Sequence, residues 1–166
     1  VVPPLRVRRV CHLPILETRT LWWPDEAACA ASAQALAARP ALRQAFIELH
    51  GTLGAGKTTF VRHLLHALGV QGRVKSPTYA VMEPYDLPGL PAWHFDFYRF
   101  NDPQEWEDAG FRDVFASPGL KLVEWPEKAE GLLPEPDLRV ELTPADGDQR
   151  RVTLHALTPL GQELLA

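Results

Sequence analysis

Three closely spaced glycines, then a lysine and two threonines, stand in the stretch ELHGTLGAGKTTFVRHLLHALG, which runs from Glu48 to Gly69. Gly51-Thr52-Leu53-Gly54-Ala55-Gly56-Lys57-Thr58 fits the pattern G-x-x-x-x-G-K-[ST] at every fixed position. The chemistry of this pattern is phosphate binding. Glycines let backbone N–H groups turn inward and approach phosphate oxygens with no side chain in the way. A helix that follows aims its positive N-terminal dipole at the same anion. Lys57 then reaches the outer phosphates, and the Thr58 hydroxyl becomes a magnesium ligand.

A nucleotide site of this kind needs a carboxylate for magnesium at the end of another strand. LKLVEW places Glu124 there. Asp is the more usual residue, but Glu carries the same charge; the plainer reading is a surface glutamate after an apolar strand. Asp96 lies in the aromatic run AWHFDFYRF, where a carboxylate is out of place unless paired or functional. It could orient an attacking water or hold magnesium through water. An ion pair with Arg99 or an exposed edge is the alternative. Thr78, in KSPTY, follows the phosphate-loop helix at a place suited to a γ-phosphate sensor, although SPT is also a common turn. His94 reads as a core histidine more readily than as a ligand. Trp125 adjoins Glu124 and either fills core or packs against the nucleotide site.

The elements that must position these groups are legible from pattern. PDEAACAASAQALAARP (Pro24 to Pro40) is an alanine-rich helix that starts with acids and stops at proline. QAFIELHG is a short strand feeding the glycine turn. The next helix spans about Thr58 to Leu68, with Phe60, Val61, Leu64, Leu65 and Leu68 at helical spacing and Gly69 as its stop. Thr78–Tyr85 and Ala92–Phe100 form a strand pair around the turn-rich Asp86–Pro91 link. Trp93, Phe95 and Phe97 share one face of the second strand; His94, Asp96 and Tyr98 share the other. Asp102 caps a helix with Pro103 in its first turn. Gly119–Trp125 is a strand, and DLRVEL and RRVTLHAL form a closing hairpin. The class is α/β: a P-loop NTPase-like mixed β-sheet flanked by helices, with a C-terminal β-hairpin.

Bulk properties bound the function. The 166 residues, 46% of them hydrophobic, suit one globular domain. A net charge of −4 argues against a protein that coats nucleic acid or an anionic membrane. The two cysteines, Cys11 and Cys29, form no metal-binding spacing and read as inert hydrophobes in a reducing, cytoplasmic setting. No apolar run approaches the ~20 residues of a membrane span, and the N-terminus is a poor signal peptide. The expected organisation is an N-terminal tail and first strand over 1–23, a single P-loop ATPase domain over 24–157 and a C-terminal tail over 158–166.

Together, GTLGAGKTTFVR, VKSPTYAV, HFDFYR and LVEWPEKA, in this order and spacing, make the chain similar to the TsaE family of bacterial ATPases over roughly Pro24 to Leu142. The resemblance implies a P-loop ATPase, weak alone, that uses ATP and Mg2+. It acts with TsaB and TsaD in making threonylcarbamoyladenosine on tRNA, and drives or resets their complex without performing the transfer. On this chain the family's phosphate loop falls on Gly54, Ala55, Gly56, Lys57, Thr58 and Thr59, with Thr58 on magnesium. Its magnesium acid falls on Glu124, the adjoining tryptophan on Trp125, the switch-like threonine on Thr78 and the carboxylate needed for ATPase function on Asp96. Thr52 stands where the family usually has an acid or amide. The tRNA is acted on indirectly, through the complex. A small-molecule kinase of P-loop type is the alternative. Against it, no arginine-rich lid follows the helix that begins at Asp102.

Overall fold

A computed structural model describes residues 14–77 and 79–166. The tail expected over the first thirteen positions, and Thr78, lie outside the described residues.

Seven strands form one sheet in the order β1-β7-β6-β2-β5-β4-β3. They are β1 (Glu17–Trp23), β2 (Phe46–His50), β3 (Met82–Leu87), β4 (Leu90–Asp96), β5 (Leu120–Glu124), β6 (Leu138–Pro144) and β7 (Arg150–Ala156). The centre, β6-β2-β5-β4, is parallel; β7 and β3 join it antiparallel, and β1 pairs antiparallel with β7. The helices are α1 (Glu26–Ala37), α2 (Lys57–Ala67), α3 (Pro103–Asp108), α4 (Phe111–Ala116) and α5 (Pro159–Leu165). The expected mixed sheet and C-terminal hairpin are both present.

Side-chain alternation along the central strands builds two cores. Ile47, Leu49, Leu120 and Leu122 face α1 and α2, where they meet Ala33, Val61 and Leu64. Phe46, Phe95 and Val123 face α3 and α4, where Trp106 and Phe111 cover them. A sheet buried on both faces needs near-continuous apolar strands, and LKLV in β5 is one. The phenylalanines and Trp106 interlock, with Phe95 stacked on Phe115 at 4.8 Å and edge-on to Phe111 at 5.3 Å.

Local chemistry sets the boundaries. Asp25 caps α1 by accepting from Ala28 N at 2.9 Å, and Asp102 caps α3 by accepting from Gln104 N at 2.9 Å. The single helix expected after Asp102 is two, because Gly110 adopts φ 70° between them. The β3–β4 pair reaches further into its turn than expected, closing between Leu87 and Leu90. Pro91, expected in the link, pairs with Asp86 in this hairpin, and Pro84 sits within its expected strand. β3 is a sheet edge, where a missing N–H is tolerated.

Residues 158–166, expected as a tail, are α5. Thr158 caps it, accepting from Gly161 N at 3.1 Å while donating to Asp137 Oδ1 at 2.7 Å. Leu164 and Leu165 are buried in the core shared with α1 and α2. Seven residues are too few to show helical periodicity in the sequence, so only packing reveals this helix.

Candidate nucleotide site

The loop between β2 and α2 wraps the helix N-terminus. Gly56 occupies the N-cap with φ 105°, a left-handed conformation that glycine adopts without strain. Gly51 is required by close approach: a Cβ there would lie 2.8 Å from Leu142 O and 2.9 Å from the Ala55 Cβ. The pattern residues are thus demanded by the local backbone, whether or not a ligand is bound.

Lys57 is nearly buried. Its Nζ donates to Gly51 O and, at 3.4 Å, to Thr52 O, and it lies 3.6 Å from the centroid of the Trp125 ring. Burial lowers the Lys57 pKa, and the nearby carboxylates of Glu124, Glu127 and Asp96 oppose that shift. Burial outweighs them, and a phosphate beside the ammonium would add to the charges that oppose it. Trp125 holds its place over Lys57 with φ 55° and ψ 48°, a left-handed backbone that is rare for a bulky residue.

The two acids come from neighbouring parallel strands. Asp96 at the end of β4 and Glu124 at the end of β5 are register partners, so both project at the carboxyl edge of the sheet beside the loop. Ligands of open α/β sheets bind at that edge. Glu124 accepts from the Thr58 hydroxyl at 2.8 and 3.0 Å, and its Oε2 lies 2.6 Å from His94 Nε2. Asp96 accepts from Ser76 Oγ and, at 2.9 Å, from Tyr98 N. Among the described residues no ion pair joins Asp96 to Arg99, whose guanidinium instead lies 5.0 Å from the Tyr79 ring centroid. The surface reading of Glu124 also falls away, since the residue is 2% exposed.

A cavity of about 300 Å³ opens over these groups. Every described residue expected to bind lines it: the loop from Gly54 to Thr59, together with Asp96, Glu124 and Trp125. Thr78 lies outside the described residues, but Ser76, two positions earlier, lines the cavity. The donor set fits a magnesium–polyphosphate group: loop amides and a buried lysine for the anion, a hydroxyl and a buried carboxylate already in contact for a hard cation.

A second cavity, of about 220 Å³, shares Ala55, Gly56 and Thr59 with the first and extends between Trp23, Asp25 and Asp148. Arg150 borders it and braces the loop from behind. Its Nε donates to Ala55 O at 2.8 Å and its Nη2 to Gly54 O at 3.4 Å. The Ala55 N–H in the same peptide as the Gly54 carbonyl donates to Thr52 O at 3.0 Å, a second tie within the loop. Pattern reading missed Arg150, Ser76 and the bond from His94 to Glu124. No residue spacing announces a strand from the C-terminal hairpin packing behind the loop. For His94 a signal existed: it lies two residues from Asp96 on a strand, hence on the same face.

The family model for the threonylcarbamoyl adenosine biosynthesis protein TsaE matches residues 23–152. A relative from Haemophilus influenzae, named tRNA threonylcarbamoyladenosine biosynthesis protein TsaE, is 46% identical over 120 residues, 72% of this chain and 75% of its own. Its namesake from Bacillus subtilis is 37% identical over 134 residues, 81% of this chain and 82% of its own. A crystal structure of Bacillus subtilis YdiB is similar to the fold with a TM-score of 0.71 at 28% identity, covering 90% of this chain and 92% of that one.

Proposed function

The chain belongs to the TsaE family, and from that premise we propose that it binds ATP with Mg2+ and hydrolyses it to drive or reset a TsaB–TsaD complex that makes threonylcarbamoyladenosine on tRNA. The observation that carries the reading is the convergence of Lys57, Thr58, Asp96 and Glu124 on one cavity from three separate elements.

Each residue has a task in this reading. Amides from Gly54 to Thr58 cradle the β-phosphate region, and the dipole of α2 adds to their field. Lys57 exchanges its carbonyl partners and its place over Trp125 for contact with the outer phosphates. Thr58 and Glu124 hold the cation, which when bound neutralises charge on the β- and γ-oxygens. Asp96 sits one strand away, with one oxygen held by Ser76 and the other by Tyr98 N, so its carboxylate is fixed at the wall of the cavity. It orients the attacking water and accepts its proton. The second cavity, between Trp23 and Asp148, takes the nucleoside. The kinase alternative finds little support: among the described residues lining the phosphate cavity none is an arginine. Work on tRNA with TsaB and TsaD points to the cytoplasm, and no helix of the described residues is long and apolar enough to cross a membrane.

The test measures ATP turnover by the purified chain alone and with TsaB and TsaD, beside tRNA nucleoside analysis in cells depleted of it. The expected result is slow turnover that rises with the partners, and loss of threonylcarbamoyladenosine that wild type restores and Asp96→Ala does not. Fast turnover indifferent to the partners, or full rescue by Asp96→Ala, would overturn it.

A further inference from the structure

His94 is completely buried, and its two ring nitrogens are treated differently. Nε2 lies 2.6 Å from Glu124 Oε2, whereas Nδ1 has no hydrogen-bond partner among the described residues. A carboxylate can only accept, so Nε2 carries the proton and donates it. Nδ1 is then an acceptor held away from water without a donor, an arrangement that disfavours the fold. A phenylalanine or leucine would fill the same volume without that cost. The side chain that stands there is therefore explained by its Nε2–H and by what that proton holds.

What it holds is one side of Glu124. Thr58 donates to the carboxylate from the loop, and His94 donates from β4. A glutamate has several torsions, and the single Thr58 proton, shared between Oε1 and Oε2, leaves the group able to rotate about that contact. The second donor, rooted in a rigid parallel strand, fixes Oε2 and so aims Oε1 at the Thr58 hydroxyl. We infer that His94 is a positioning residue: its Nε2–H locks Glu124 in the orientation that, with Thr58, receives the divalent cation. This rests on the reading of Glu124 as the cation's carboxylate.

The test reads cation affinity and not turnover. A fluorescent ATP analogue is titrated into the full chain in EDTA and then at rising Mg2+, and Mn2+ affinity in the nucleotide complex is read by electron paramagnetic resonance. Wild type, His94→Leu, His94→Gln and His94→Asn are compared. In EDTA all four bind the analogue alike, because the loop is untouched. With cation, His94→Leu needs about 10–100-fold more Mg2+ or Mn2+, the range found when a partner of a metal ligand is removed. Gln reaches the Nε2 position with an N–H and restores affinity to within a few-fold; Asn, one methylene shorter, does not. Equal cation affinity in wild type and His94→Leu overturns the inference. If His94→Leu fails to fold, the Gln and Asn variants decide, and identical behaviour of those two overturns it. An absence of any Mg2+ effect on wild type strikes instead at the reading of Glu124 and Thr58, a separate failure.

Discussion

The hydroxyl of Thr58 and the carboxylate of Glu124 meet at 2.8 and 3.0 Å across 66 residues of chain. One stands in the first turn of α2 and the other at the last position of β5. The contact joins the anion half of the site to its carboxylate half with no intervening side chain. A cation between a phosphate and these two groups would replace a hydrogen bond that already holds them at the right separation.

Glu124→Gln retains the shape of that contact and removes its charge. The tightening of ATP binding by Mg2+ should fall by at least about tenfold, or ~1.4 kcal/mol. Binding in EDTA should stay close to wild type. Calorimetry under both conditions checks this, and an unchanged Mg2+ effect would contradict a cation role for Glu124.

Lys57→Ala removes the buried ammonium that lines the cavity. A charge-assisted contact of this kind contributes ~1.5–3 kcal/mol. Triphosphate affinity should drop accordingly, while an uncharged nucleoside should bind as before. Equal ATP affinity in the two proteins, by calorimetry, would remove the lysine from the site.

Arg150→Ala withdraws the guanidinium from Ala55 O and Gly54 O. The loop amides should lose order, seen as faster hydrogen exchange at residues 53–57. Nucleotide affinity should weaken by ~1–2 kcal/mol, since the site is partly exposed and water replaces some of the bonding. Unaltered exchange in the loop would show that the hairpin does not brace it.

Burial pushes the Cys29 thiol up to about 11 from an ordinary 9.0. The folded protein therefore keeps the thiol protonated at a pH where the unfolded chain has begun to lose that proton. The stability linked to this group is intact below 9 and is lost as pH rises toward 11. Alkylation of Cys29 at pH 9, followed by peptide mass spectrometry, should be slow in the native protein and fast in denaturant. Rapid native labelling would contradict the burial.

Much of the site was legible from residue order. Lys57 and Thr58 are fixed by the loop pattern, and alternation put Asp96 and His94 on one face of β4. The aromatic face of Phe95 and Phe97 and the cap at Asp102 also read correctly. Less legible were features that depend on chain distant in sequence. Pro91 reads as part of a turn because its pairing with Asp86 across the hairpin is a matter of neighbours. The final helix stayed hidden because its seven residues owe their helicity to packing against the core.

The sequence by itself determined that a glycine-rich turn joins a strand to a helix, since backbone torsions and glycine placement are local properties. It also supplied the acids, Glu124 at a strand end and Asp96 inside the expected strand Ala92–Phe100, which the structure ends at Asp96. Only the tertiary structure decided that those strands are parallel neighbours in register, which brings Asp96 beside Glu124 and sets Glu124 between Thr58 and His94. The physical reason is that strand order follows from burying both faces of one sheet at once, a condition on the whole chain that no short window of residues contains.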